Sequence, residues 1–77
     1  MKDQVYTLST GNKIYILDEI DLNSRKFVMF AGVDPETKNL SEEIGALEYI
    51  ASTNEFAAIS DKVLLTEVVK IFSAQQN

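Results

Sequence analysis

Two apolar runs, separated only by Asn23 and Ser24, dominate the first half of the chain. In the first run, residues 14 to 22, alternate positions carry isoleucine or leucine, with Asp18 as the single exception. This alternation is typical of a strand with one buried face. The second run, residues 27 to 33, is rich in valine and phenylalanine, which favours a central strand. Because only two polar residues separate the runs, they predict a β-hairpin.

Shorter segments extend this hairpin on both sides. Residues 5 to 8 alternate and end at a turn-forming cluster, so they predict a short first strand. A turn beginning at Asp34, which is followed by proline, ends the third strand. Residues 41 to 52 fit either a strand or a helix. We favour a strand over about residues 44 to 51, because a turn then leads into a further short strand at residues 56 to 59.

The last part of the chain carries a helical pattern. The apolar residues at helical spacing are Leu64, Leu65, Val68, Val69 and Phe72. Ser60 suits the N-cap, and Asp61 suits the first helical position, where negative charge is favourable. The sequence therefore predicts a single small α+β domain over residues 1 to 77. Its small antiparallel β-sheet of about five strands, a meander of hairpins, is covered on one face by a C-terminal amphipathic helix.

Composition limits the chemistry that this domain can perform. The chain contains no cysteine and no histidine, so disulfides, thiolate nucleophiles and the commonest ligands of zinc, copper and haem are absent. Its three glycines, Gly11, Gly32 and Gly45, stand far apart and form no phosphate-binding loop. We therefore expect no enzymatic activity, no catalytic residues, no cofactor and no metal site.

Charge and hydropathy indicate the kind of partner. Seven basic and twelve acidic side chains give a formal net charge of −5, which opposes direct binding to nucleic acid or to an anionic membrane. The sequence shows neither a signal-peptide pattern nor an apolar run long enough to span a membrane. We expect a cytoplasmic protein whose partner is another protein, with a basic surface favoured, or a second copy of the same chain.

The second predicted strand carries the candidate partner-binding residues. Tyr15 and Leu17 belong to the phase that we assign to the sheet face away from the helix, and they lie beside the carboxylates of Asp18, Glu19 and Asp21. Charge that steers association, placed next to an apolar contact, is typical of protein interfaces. Two alternatives are a sheet that curls and buries both faces, and solvated carboxylates that only keep a turn and an edge soluble.

Several short motifs resemble the small acidic YrzB-like proteins of Gram-positive bacteria and their phages. They are LDEID at residues 17 to 21, KFVMF at 26 to 30 and VDPE at 33 to 36, followed by a hairpin and a closing amphipathic helix. The match covers about three quarters of the chain. The resemblance implies the same small sheet-and-helix arrangement, and it implies no particular activity.

The leading functional hypothesis is a small non-enzymatic protein-interaction module that self-associates or binds another protein. The alternative is an acidic inhibitor of the phage type, which imitates the charge of nucleic acid and occupies a basic site on a host protein. The two hypotheses differ in the layout of the carboxylates, because a mimic needs them in rows on one surface. A minimal hydrolase that uses paired carboxylates is a third and weaker alternative.

Overall fold

The structure, a computed structural model, describes residues 1 to 75 apart from the side chain of residue 43. It contains β1 (Val5–Thr7), β2 (Lys13–Leu22), β3 (Arg25–Val33), β4 (Leu40–Ile50), β5 (Glu55–Ala58) and α1 (Lys62–Gln75). The five strands form one antiparallel sheet in the order of the chain. The α+β class and the antiparallel meander are therefore confirmed. The ambiguous segment is a strand, as favoured, but it begins earlier than expected, at Leu40.

The turn between β2 and β3 has the backbone that a two-residue hairpin needs. Asn23 and Ser24 have positive φ angles of 53° and 64°, and Leu22 pairs directly with Arg25 across them. Positive φ at both central residues matches the right-handed twist of the flanking strands, and asparagine tolerates it well. The polar break in the sequence therefore sets the register of the central hairpin.

A β-bulge in β2 determines which face of the sheet its residues occupy. Ile16 pairs with Phe30 and Asp18 pairs with Met29, so Leu17 is an extra residue in β2. One extra residue reverses the alternation of side chains that follow it. The apolar residues of β2 before the bulge and those after it therefore lie on opposite faces, although the sequence places them in one phase.

The first core cluster joins the sheet to the helix. Ile20, Phe27 and Met29 from β2 and β3 are buried together with Val68 and Phe72 from α1. The helix begins one residue later than predicted, because the Oδ1 atom of Asp61 accepts hydrogen bonds from the backbone nitrogens of residues 63 and 64. Asp61, and not the preceding serine, is therefore the N-cap.

The second cluster lies on the opposite face of the sheet. Ile14, Ile16 and Val28 are buried there, with Tyr6 and Phe56 among the partly buried residues packed against them. The Tyr6 ring on β1 lies 5.4 Å from the Phe56 ring on β5, between centroids, in an edge-to-face arrangement. Since β1 and β5 are the two edges of the sheet, this contact means that the sheet curls around the second cluster and encloses it.

Candidate protein-interaction surface

A row of apolar side chains crosses four strands of the sheet. Val5 pairs with Tyr15, Tyr15 pairs with Ala31, and Ala31 pairs with Ile44. Directly opposed residues of antiparallel strands lie on the same face with their Cβ atoms close together. We call Val5, Tyr15, Ala31 and Ile44 the apolar row. In the next pairs, Thr7, Lys13, Val33 and Leu40 continue the same face toward the strand ends.

The apolar row is exposed at both ends. Val5 is 53% exposed and Ile44 is 57% exposed, and the neighbouring Leu40 is 46% exposed. Ala31, in the middle of the row, is almost fully buried beneath its neighbours. Exposed apolar side chains that lie together on one face are typical of sites of association, and this row is exposed at its two ends and buried in its middle. This strip is the candidate functional site.

The row lies on the same side of β3 as the residues that contact the helix. Phe27, Met29 and Ala31 alternate along β3 and therefore share one face. The first two pack with Val68 and Phe72 of α1, whereas Ala31 belongs to neither core cluster. The apolar row therefore lies on the same face of the sheet as the helix contacts, further along β3.

Tyr15 is the member of the predicted site that lies in the apolar row. Its hydroxyl donates a hydrogen bond of 2.9 Å to the Oδ1 atom of Asp3, and this bond is the main reason why the pKa of Tyr15 is raised. The backbone nitrogen of Asp3 in turn donates to the carbonyl oxygen of Ile16. The phenol is therefore tied to the segment preceding β1, with its ring in the row.

The five predicted residues are divided between the two faces of the sheet. Tyr15 pairs with Ala31, and Leu17 packs against the cluster that contains the helix residues, so both lie on the face of the sheet that the helix contacts. The prediction that they lie on the face away from the helix is therefore wrong.

Asp18 accepts a hydrogen bond from the backbone nitrogen of Glu19. The Oε2 atom of Glu19 lies 3.3 Å from Lys26 Nζ, an ion-pair distance without hydrogen-bond geometry. Asp18 pairs with Met29 on the face that carries Tyr15, whereas Glu19 and Asp21 lie on the opposite face, and of the five residues only Asp21 is exposed.

Several other carboxylates also have partners within the chain. Arg25 donates two hydrogen bonds to Glu48, of 2.8 Å and 2.6 Å, which lower the pKa of Glu48. Asp34 accepts two backbone N–H groups in the turn before β4, and these bonds lower its pKa. Asp61 caps the helix. Such carboxylates belong to separate local structures and not to a row on one surface.

The Arg25–Glu48 pair predicts a pH-dependent contribution to stability. Because the pKa of Glu48 is lowered in the folded chain, this contribution is present above the ordinary pKa of glutamate and is lost as the pH falls through the lowered value. We expect Glu48→Gln to reduce the free energy of unfolding by about 0.2 to 1 kcal/mol at neutral pH. Near pH 2, about two units below the ordinary pKa, the variant should match the parent.

Urea denaturation at the two pH values measures this difference. Glu67→Gln is the matched control, because Glu67 is exposed on α1 and its replacement should change stability by less than about 0.5 kcal/mol at either pH. An equal loss for Glu48→Gln at both pH values would contradict the assignment, since the loss would then come from packing and not from charge.

Comparison of the chain with protein families, with curated proteins and with solved structures finds no match. Within residues 1 to 75, no helix has the length and apolar character needed to cross a bilayer. In the same part of the chain, no cluster of three or more acidic side chains is arranged to hold a metal ion. The functional argument therefore depends on the geometry of the surface.

The sequence did not identify the other exposed members of this surface. Val5, Leu40 and Ile44 come from two separate strands, and each looks like an ordinary strand residue in its own segment. Only the pairing of the strands places them beside Tyr15. The available signal was a difference in strand length. β5 has only four residues, so it cannot pair with all of β4, and Leu40 and Ile44 lie beyond it.

Proposed function

We propose that this chain is a small, non-enzymatic, cytoplasmic protein-interaction module that binds its partner through the apolar row. The observation that carries the proposal is the row of paired apolar residues from Val5 to Ile44 across four strands, with both ends more than half exposed. Burying such a strip removes apolar surface from water, at roughly 25 cal/mol per Å². Exposed polar residues at its border, such as Asp3 and Lys13, fit the polar rim of an interface.

The proposed module depends on incomplete coverage of the sheet by α1. We propose that the helix covers the part of one face near Phe27 and leaves the apolar row open. The burial of Val68 and Phe72 against β2 and β3 supports this arrangement. The 14-residue helix is about 21 Å long, which is shorter than the longest dimension of the molecule, 36 Å.

Self-association is the first prediction of this proposal. A second copy would cover the row, and we expect it to form at micromolar concentration or above. Each chain carries a net charge of −5, so salt should strengthen the dimer by screening the repulsion. Ile44→Ser should weaken the dimer roughly tenfold, because it removes an exposed apolar contact worth about 1.4 kcal/mol. Sedimentation equilibrium at low and high salt measures both effects.

The matched control for this experiment is Val63→Ser. Val63 is 75% exposed on α1 and, like Ile44, is an exposed β-branched apolar residue, but it lies outside the row. The control should sediment like the parent. A monomer at every accessible concentration would exclude self-association and leave a different protein as the partner. A dimer that Val63→Ser disrupts and Ile44→Ser does not would place the interface on the helix.

The acidic inhibitor is the second candidate, and the net charge of −5 favours it. It has less support, because Glu48, Asp34 and Asp61 are engaged within the chain at separate places. The test is replacement of Glu19 and Asp21 together by their amides, which removes charge and nearly preserves shape. If the chain imitates the charge of nucleic acid, the double variant should bind a basic host protein more weakly, and the remaining binding should depend much less on salt. Unchanged capture would contradict this candidate.

A further inference from the structure

A cleft opens between the two edges of the curled sheet. It lies between the turn that follows β1 and the start of β5, and its volume is about 280 Å³. Its apolar lining consists of Leu8, Leu47 and Phe56, three partly buried side chains that pack against the enclosed cluster. We call it the edge cleft. Leu47 pairs with Val28 of that cluster, so the apolar floor of the cleft is on the side of the sheet opposite the apolar row.

The polar side chains of the edge cleft supply acceptors and a negative charge. They include the hydroxyls of Ser9 and Thr10, the amide of Asn54 and the carboxylate of Glu55. Among the described residues that line the cleft, Glu55 is the only charged one. Within the described part of the chain, no lysine or arginine lies at ion-pair distance from its carboxylate. This carboxylate is therefore available to a ligand.

Hydrogen bonds within the chain hold both walls of the edge cleft. In the turn after β1, the backbone nitrogen of Leu8 donates to the carbonyl oxygen of Asn12 at 2.7 Å, and that of Gly11 donates to the carbonyl oxygen of Leu8 at 2.9 Å. On the other wall, the hydroxyl of Tyr49 donates to Oδ1 of Asn54 at 2.7 Å. A site whose walls are already ordered loses less conformational freedom when a ligand binds.

We propose that the edge cleft binds a small organic cation, a protonated amine attached to an apolar group. Glu55 would pair with the ammonium, whose remaining N–H donors suit the hydroxyls of Ser9 and Thr10. The apolar group would cover the floor and remove apolar surface from water. The net charge of −5 also attracts cations and repels anions. The volume of the cleft is at the low end of the range for ligand sites, so the ligand is a small molecule.

The test is a titration of the full chain, labelled with ¹⁵N, with phenethylammonium at neutral pH, at which the amine is protonated. Phenethyl alcohol keeps the ring and removes the charge, whereas methylammonium keeps the charge and removes the ring. We expect phenethylammonium to shift the amide signals of residues 7 to 10 and 54 to 56. It should bind roughly tenfold more tightly than either comparison compound, because only phenethylammonium uses both the carboxylate and the apolar floor.

A variant of the chain tests the role of the carboxylate. Glu55→Gln removes the charge and nearly preserves the shape of an exposed side chain, so it should leave the fold intact. It should weaken binding of phenethylammonium roughly tenfold and leave binding of the alcohol unchanged. Glu67→Gln, the same replacement at an exposed position of α1, is the matched control and should change neither affinity.

Salt gives a second measurement of the charge contribution. The affinity for phenethylammonium should fall as the salt concentration rises, whereas the affinity for the alcohol should not. Absence of binding, or shifts confined to residues outside 7 to 10 and 54 to 56, would overturn the proposal. An unchanged affinity in the Glu55→Gln variant would also overturn it, as would equal binding of phenethylammonium and methylammonium, because the apolar floor would then contribute nothing. Each outcome is independent of the proposed function, since the apolar row is on the other side of the sheet.

Discussion

Replacement of Phe72 by alanine is expected to lower the free energy of unfolding by about 3 to 5 kcal/mol. Phe72 is only 2% exposed, and its ring packs in the cluster formed by Ile20, Phe27 and Met29. The truncation removes apolar contact and leaves a cavity between α1 and the sheet. The total free energy of unfolding of a small domain is about 5 to 15 kcal/mol, so this loss is a large part of the stability. Urea denaturation followed by circular dichroism measures it.

The control for this prediction is Val63→Ala, on the exposed side of the same helix. Val63 is 75% exposed, so the change should alter stability by no more than about 0.5 kcal/mol. If Phe72→Ala prevents folding, Phe72→Leu, which keeps most of the volume, should fold with a loss of roughly 1 kcal/mol. Equal unfolding midpoints for Phe72→Ala and the parent would mean that α1 does not stabilise the sheet, and the proposed arrangement of helix and sheet would be wrong.

The central hairpin could be predicted from the sequence because its signals are local. The alternation of β2 and the polar pair Asn23 and Ser24 lie within neighbouring residues, and the turn needs only those two to adopt positive φ. The same reasoning gave β5 and α1 to within a few residues. The N-cap was displaced by one position because Ser60 and Asp61 are both good capping residues, and only the hydrogen bonds of Asp61 distinguish them.

The faces of β2 could not be predicted, because the bulge depends on a partner strand. The sequence places Ile14, Ile16 and Ile20 in one phase, with Asp18 as an exception. The structure places the first two in the enclosed cluster and Ile20 with the helix, because Leu17 is the extra residue. The exception in the pattern was the signal of an irregularity. It did not show where the alternation changes, since that depends on pairing with β3.

The neighbours of Tyr15 on the candidate surface also depend on strand pairing, which the sequence of one segment does not show. The sequence predicts Tyr15 on the face away from the helix, beside Leu17 and the charged residues of its own strand, whereas the pairing of the strands places it on the face that the helix contacts. Its actual neighbours, Val5 and Ala31, are set by the register of three strands. The exposure of Ile44 follows from the difference in length between β4 and β5, which no single segment reveals.

Gly45→Ala is expected to destabilise the chain by about 1 to 3 kcal/mol. Gly45 pairs directly with Phe30, and a Cβ atom added at Gly45 would lie 2.8 Å from Cε1 and Cζ of that ring. Contacts this short require the ring to move, and a partly buried ring that packs against the enclosed cluster around Val28 disturbs that packing when it moves. The measurement is again urea denaturation. Gly32→Ala is the matched control, because the nearest atom to its added Cβ is the Cβ of Ser41 at 3.7 Å, an ordinary contact.

The control should be neutral or should stabilise the chain by up to about 1 kcal/mol, since alanine reduces the freedom of the unfolded chain where it fits. The cause of the Gly45 effect is tested by combining Gly45→Ala with Phe30→Leu, which removes the end of the ring. If steric conflict with the ring is the cause, the loss from Gly45→Ala should be smaller in the Phe30→Leu background by at least about 0.5 kcal/mol. Additive losses would show that the glycine is needed for its backbone and not for the space it leaves. In that case the edge residues of β4, Ile44 and Ala46 among them, would be positioned by strand conformation, independently of the enclosed cluster on the other side of the sheet.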